Sequence, residues 1–265
     1  MGWTETPSLS FTARHESGEG DAAVAVLEAL ETHRAKLEQL FPVAPAHITV
    51  VLHDSALQLA LAQPLFPIAR RLTAPAGRRY TAGWFNAKEV HTLAPATLRK
   101  TAAGPDSRQA LMLTPERTYT SLVVGTCNPL LPPPFRPSTF RNYWRLAWLA
   151  EGAAQYFSGQ LPHLRAAIAR RLRGAAPSFP PARRDAALLG GSLFDLLEQE
   201  RGIEACVRLA TDPDVESVRS LESAFEAPFA ELRERWRAHL EELATPEPSV
   251  VLDADASRLP PSRST

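Results

Sequence analysis

Glu151 is the residue of this chain whose type and position most strongly suggest chemistry. By helical spacing it projects from an apolar stripe formed by Trp144, Ala147, Trp148 and Ala154. A carboxylate in such a position loses hydration on folding, which is unfavourable unless a cation or several hydrogen-bond donors meet it. The sequence therefore predicts that Glu151 contacts a metal ion, a hydrogen-bond cluster, or an arginine such as Arg141 or Arg145.

Gly152 follows this glutamate within the same predicted helix. Glycine in a helix interior is less favourable than alanine by about 1 kcal/mol, and it is tolerated where another backbone must approach closely. We therefore expect a close backbone contact beside Glu151.

The candidate metal ligands of this chain are dispersed. The histidines are His15, His33, His47, His53, His91, His163 and His239. No two of them are three or four residues apart on one helix, and Cys127 and Cys206 form no CxxC motif. Zinc requires three or four ligands, so we expect no rebuilt metal site. Cys127 is interpreted as a small buried residue rather than a nucleophile. The sequence neither indicates nor excludes a disulfide between Cys127 and Cys206.

Composition argues against two classes of partner. The 265 residues contain 29 basic and 29 acidic side chains, so the formal net charge is zero and no long-range field attracts nucleic acid or an anionic membrane. No signal-peptide pattern and no apolar run of about 20 residues occur. We expect a soluble cytoplasmic protein. The basic segment 163–173 is interpreted as a solvated helix face, with an acidic partner as the alternative.

The N-terminal half alternates between strand and helix patterns. Period-two alternation predicts a strand over 9–15, helical spacing predicts a helix over 21–40, and a β-branched run predicts a fully buried strand over 48–52. The segments 80–85 and 89–93 form a predicted hairpin. Thr114 and Pro115 begin a helix that extends to 128, although the run 123–126 has low helix propensity.

A proline-rich loop over 129–137 separates this half from a predominantly helical half. We predict helices over 139–158, from Gly190-Gly191-Ser192 to Gly202, over 203–210, and from Pro228 to about 244. The sequence thus predicts an α+β protein with an α/β subdomain over 1–128 and a helical subdomain over 129–244. Residues 245–265 are predicted to be a disordered tail.

The segment WLAEGAAQYFSG resembles the W-L-x-E-G-x-A-x-Y segment of gluzincin, or peptidase MA-like, zinc metallopeptidases. The segments FTARHE, ITVVLHDS, AGWF, HTLAP and FAELRERWRAHL follow the order usual in that family. The resemblance implies a zincin (thermolysin-like) fold, with an N-terminal mixed sheet and a helical C-terminal subdomain. It also implies that Glu151 occupies the position of the third zinc ligand.

The chain lacks the HExxH motif that supplies the other two ligands and the general base in such enzymes. The best match to the surrounding pattern is 122–131, LVVGTCNPLL. There Val124 and Asn128 replace the histidines, Gly125 replaces the base, and Thr126 and Cys127 lie between. The resemblance thus implies a vestigial site at Val124, Gly125, Asn128 and Glu151, whose side chains should converge. We expect no catalytic residue and no metal, with Glu151 as the ligand if any metal binds.

The leading functional hypothesis is a catalytically inactive pseudo-metallopeptidase with a binding or regulatory role and no cofactor. The alternative is an active metallohydrolase with an unusual zinc site, and a third interpretation is a helical scaffold with an occluded cleft. Gluzincins hold extended peptides against a sheet edge near the metal. The corresponding peptide-binding edge would include Gly83, Trp84, Phe85 and His91, with a peptide or protein as ligand.

Overall fold

A computed structural model describes residues 2–62, 80 and 82–245 of the chain. Its five-stranded sheet is ordered β1-β2-β3-β5-β4. The strands are β1 (Trp3–Pro7), β2 (Phe11–Glu16), β3 (Ile48–His53), β4 (Gly83–Phe85) and β5 (Glu89–Leu93). Strands β2, β3 and β5 are parallel, while β1 and β4 are antiparallel edge strands. The expected mixed sheet and the hairpin are confirmed.

The first predicted strand begins later than expected. Phe11, Ala13 and His15 are buried as the alternation predicted, but Leu9 is 86% exposed because it lies in the turn between β1 and β2. Strand β1 was not predicted, because an exposed edge strand lacks the buried face that produces a readable alternation.

In the described part of the N-terminal half, the helices are α1 (Gly20–Leu40), α2 (Ala56–Ala62), α3 (Pro95–Thr101), α4 (Pro105–Met112) and α5 (Thr114–Cys127). Helices α1 and α5 pack against one face of the sheet, where Phe11 contacts Tyr119 with ring centroids 5.0 Å apart. A smaller apolar cluster around Leu59, Trp84 and Leu98 lies on the opposite face.

Helix α5 is continuous through its low-propensity run. Its hydroxyl side chains bond back to the carbonyl four residues earlier, as Thr118, Thr120 and Thr126 do. Most of its side chains are buried, and Tyr119 donates to the carbonyl of Pro45 at 2.7 Å. Tertiary packing therefore outweighs intrinsic propensity in this helix.

The C-terminal half is helical, with two corrections to the predicted bounds. Its helices are α6 (Pro137–Arg145), α7 (Ala147–Phe157), a 3-10 turn (Leu161–Leu164), α8 (Arg165–Leu172), α9 (Arg183–Arg201), α10 (Ile203–Thr211), α11 (Ser217–Phe225) and α12 (Phe229–Ala244). The helix predicted over 139–158 is divided at Leu146, whose φ is −105° and ψ is 26°. Gly190 and Gly191 lie inside α9 rather than before it, while Gly202, with φ 79°, ends α9 as predicted.

One apolar cluster extends from Phe11 in the sheet to Leu243 in α12. The division into subdomains at 128 therefore stays a prediction, and the predicted tail from 246 onward lies outside the described residues. No helix in the described ranges has the length and apolar character needed to cross a bilayer.

Candidate functional site

Glu151 on α7 is held by two donors from different helices. The Nη2 of Arg117 on α5 lies 2.5 Å from its Oε2, and the hydroxyl of Tyr143 on α6 donates to its Oε1. The side chain of Arg117 is 2% exposed and that of Glu151 is 21% exposed. The expected cation is therefore an arginine, but it is Arg117 rather than Arg141 or Arg145.

Arg117 is fixed at its other end as well. Its Nη1 donates to the side-chain oxygen of Gln160. The amide nitrogen of Gln160 then donates to the carbonyls of Tyr80 and Ala110, each at 2.7 Å. A buried guanidinium needs several acceptors to offset its lost hydration, and Glu151 with Gln160 supplies them.

The close backbone contact expected at Gly152 is confirmed. A Cβ on Gly152 would lie 2.6 Å from the carbonyl oxygen of Gly190, and one on Gly190 would lie 2.9 Å from the carbonyl oxygen of Trp148. Helices α7 and α9 therefore cross at paired glycines, where no side chain separates the backbones. This crossing fixes α7, and with it the position from which Glu151 reaches Arg117.

The other predicted vestigial residues have different surroundings. The side-chain amide of Asn128 donates to the carbonyls of Ala210 and Asp212 at 3.0 and 3.2 Å, and Val124 is buried in the main apolar cluster. A Cβ on Gly125 would lie 1.7 Å from the carbonyl oxygen of Pro132. Asn128 and Glu151 thus bond to different elements, and the expected convergence of the vestigial side chains stays a prediction.

Strand β4 is the edge of the sheet nearest to Arg117. A Cβ on Gly83 would lie 2.7 Å from the hydroxyl oxygen of Thr118, the residue after Arg117 on α5. The backbone N–H of Asn86 donates to the carbonyl of Glu89, just after β4. Residues of an antiparallel pair alternately point their amides towards and away from the neighbouring strand, so the amides of Gly83 and Phe85 point away from β5. Within the described residues, no strand pairs with this outer side of β4.

Two of the predicted edge residues do not lie on the edge surface. Trp84 and His91 stack with ring centroids 3.8 Å apart on a face of the sheet, and both are buried. His91 belongs to the inner strand β5, so a peptide beside β4 would meet the backbone of Gly83 and Phe85 instead.

A buried histidine pair is another arrangement of titratable groups that sequence spacing did not reveal. Nε2 of His53 on β3 lies 3.0 Å from Nδ1 of His91, and Nε2 of His91 lies 3.4 Å from a carboxylate oxygen of Glu89. Burial lowers the pKa of both rings, that of His53 to about 4. Strand pairing could have suggested the contact, because Val51 of β3 is opposite His91 and His53 follows two residues later.

The cysteines of the chain are free thiols with little nucleophilic character. Burial raises the pKa of Cys127, and it raises that of Cys206 to about 12. A thiol with a raised pKa holds little thiolate at neutral pH, so neither cysteine has the environment of a nucleophile. Among residues 2–62, 80 and 82–245, no group of three or more histidine, cysteine or acidic side chains has the arrangement of a metal site.

Comparisons with protein-family models, with curated proteins and with solved structures returned no match for this chain.

Proposed function

We propose that this chain is a relative of the gluzincin peptidases that binds an extended peptide or protein segment along β4 without cleaving it. The observation that carries the proposal is the ion pair between Arg117 and Glu151. If Glu151 corresponds to the third zinc ligand of that family, the guanidinium lies where a zinc ion would lie. Its positive charge disfavours a second cation at the same carboxylate.

The spacing along α5 also supports this interpretation. Arg117 and Ser121 are four residues apart, which is the spacing of the two histidines in HExxH, and Arg117 contacts Glu151 directly. Aligning Arg117 and Ser121 with the two histidines places the motif two helical turns earlier on α5 than the alignment that uses Val124 and Asn128. Neither register supplies two imidazoles, so both agree with a protein that lacks the zinc chemistry of the family.

The peptide-binding part of the proposal rests on the edge strand. Gly83 is buried, but the outward amide of the half-buried Phe85 offers a hydrogen bond to an added strand. Such main-chain hydrogen bonds are how β-augmentation obtains its affinity. The contact of Gly83 with Thr118 brings this edge beside Arg117. A peptide bound there would therefore pass the position at which a gluzincin cleaves its substrate.

A pair of proline substitutions tests this proposal. Phe85→Pro removes an outward N–H from β4, while Glu5→Pro removes one from β1, the opposite edge of the sheet. Peptides of about twelve residues would be selected from a random library on the full chain and then titrated against each variant. We expect Phe85→Pro to weaken binding about tenfold and Glu5→Pro to leave it unchanged. Equal binding by both variants would exclude β4 as the site.

Hydrogen exchange gives an independent measurement on the unsubstituted chain. Selected peptides should slow exchange of the amide of Phe85, because an added strand accepts a hydrogen bond from it. Protection that appears only at β1 or on the helices would contradict the proposal.

A further inference from the structure

Helix α6 and the loop before it form a surface that is basic and aromatic. The surface consists of Phe135, Arg136, Phe140, Arg141, Trp144 and Arg145, and we call it the arginine–aromatic surface. The sequence contains no acidic residue between Arg117 and Glu151. The three arginines of this surface, Arg136, Arg141 and Arg145, are exposed, and none of them has a carboxylate partner among the described residues.

Aromatic and basic side chains form two adjacent rows along α6. Phe140 and Trp144 are four residues apart and in contact, with centroids separated by 5.4 Å, and Arg141 and Arg145 form the adjacent row. Phe140 is 40% exposed and Phe135 is 53% exposed. The surface therefore offers apolar area and positive charge side by side.

This surface is continuous with the end of β4. Phe135 contacts Phe85, the last residue of that strand, with ring centroids 5.5 Å apart. Tyr143 on the inner side of α6 donates to Glu151, which anchors the helix beside the ion pair with Arg117. A chain that runs along β4 past Phe85 would thus reach the arginine–aromatic surface.

Two arginines elsewhere in the helical half are compensated by glutamates. A cavity of about 640 Å³ between α10 and α11 contains Arg201 and Arg219, but each of them pairs with a neighbouring glutamate, Glu226 and Glu216 respectively. Arg136, Arg141 and Arg145 differ from these two in having no carboxylate partner among the described residues, and they lie beside exposed aromatic rings.

We propose that the arginine–aromatic surface binds an acidic peptide segment of another protein, one that presents carboxylates together with a large apolar side chain. The carboxylates meet the guanidinium groups of Arg141 and Arg145, and the apolar side chain packs between Phe135 and Phe140. This inference extends the proposed function, because it states the chemistry of the peptide that β4 binds.

A peptide fits this surface better than a nucleic acid does. Single-stranded nucleic acids bind by stacking bases on open aromatic faces, but the guanidinium of Arg183 lies 4.0 Å over the ring of Trp144. Phe140 packs against the same tryptophan, so its rings offer edges and small apolar areas. Such areas suit aliphatic or aromatic side chains.

Fluorescence anisotropy with a defined probe tests the inference. The probe is a fluorescein-labelled peptide of repeating Glu-Val-Asp-Phe, and its neutral analogue has Gln and Asn at the acidic positions. The unsubstituted chain is compared with the charge reversal on α6, Arg141→Glu/Arg145→Glu. The control is Arg208→Glu/Arg219→Glu, a charge reversal of exposed arginines on α10 and α11. All four arginines are exposed, and circular dichroism verifies that each variant is folded.

We expect the reversal on α6 to weaken probe binding about tenfold or more and the reversal on α10 and α11 to change it less than about twofold. The neutral analogue should also bind about tenfold more weakly. Equal binding of the two peptides, no effect of the α6 reversal, or tighter binding of oligo(dT) or phosphatidylserine vesicles than of the acidic peptide would overturn the inference.

The two proposals fail in different ways. If random-library peptides depend on β4 but are not enriched in Asp and Glu, strand addition holds and the acidic preference is wrong. If the acidic probe depends on Arg141 and Arg145 but not on Phe85→Pro, the acidic surface holds and strand addition is wrong.

Discussion

The guanidinium of Arg117 on α5 lies 2.5 Å from the carboxylate of Glu151 on α7, and both side chains are largely withdrawn from solvent. Two helices that pack across the interior are thus joined by opposite charges at their point of contact. Gln160 and Tyr143 complete the hydrogen bonding of the pair. Because either partner alone would be a poorly solvated charge, the structure depends on having both.

Loss of one member of this pair should strongly destabilise the fold. We expect Arg117→Met to lower the free energy of unfolding by about 3–5 kcal/mol, because the largely buried carboxyl group of Glu151 would lose its cationic partner. The double substitution Arg117→Met/Glu151→Leu should recover most of that loss. Arg219→Met, at an exposed ion pair, should change stability by no more than about 0.5 kcal/mol. Urea denaturation of the three variants measures these differences, and a loss below about 1 kcal/mol for Arg117→Met would contradict the role of the pair.

Gly125 should be required by packing and not by catalysis. A Cβ at this position meets the carbonyl oxygen of Pro132 at 1.7 Å, so the proline loop must move to admit it. We expect Gly125→Ala to destabilise the chain by about 1–3 kcal/mol, although alanine is the better helix former. Gly20→Ala, in the first turn of α1 with nothing within 4 Å of the added Cβ, should be neutral or stabilising. Thermal denaturation that shows Gly125→Ala to be stabilising would contradict the observed packing.

His33 should make folding sensitive to acid. Burial lowers its pKa from 6.5 to about 4, so the folded state keeps the ring neutral while the unfolded state binds a proton. The resulting stability is complete above about pH 6.5 and is lost as the pH falls towards about 4. The free energy of unfolding of the wild type should be compared with that of His33→Gln across this window. As the pH falls, the wild-type value minus the variant value should decrease by up to about 1.4 kcal/mol per pH unit. A difference that is constant across the window would contradict it.

The two thiols should react at different rates. Cys206 is fully buried and its pKa is raised to about 12, while Cys127 is partly exposed with a smaller rise caused by burial. We expect Ellman's reagent to label Cys127 of the native chain at neutral pH and to reach Cys206 only after unfolding. The variant Cys127→Ser isolates the second thiol, and rapid labelling of that variant without denaturant would be inconsistent with the packing around Cys206.

Much of the fold was predictable because its signals are local. The alternation at Phe11, Ala13 and His15, the β-branched run of β3 and the glycine at 202 each correspond to an observed element. The short helices α2, α3 and α4 and the break at Leu146 were not predicted. Elements of seven or eight residues contain too few turns for a clear helical period, and tertiary packing determines the break.

The candidate site was predictable only in part. The need of Glu151 for a cation and the need of Gly152 for a close backbone follow from the sequence, and the structure contains both contacts. The identity of the cation did not follow, because Arg117 is distant in sequence and only the packing of α5 on α7 brings it to Glu151. Asn128 was assigned to the site through a pattern of flanking residues, and its place there stays a prediction.

If the proposed function is right, Arg117 lies where the metal of a gluzincin would lie, and the chain does not act as a zinc peptidase. Metal analysis of the purified full chain after incubation with zinc, combined with a peptidase assay before and after EDTA, tests this most directly. We expect well under one zinc per chain and no EDTA-sensitive hydrolysis. About one zinc per chain together with hydrolysis that EDTA abolishes would contradict the claim and would favour an active metallohydrolase.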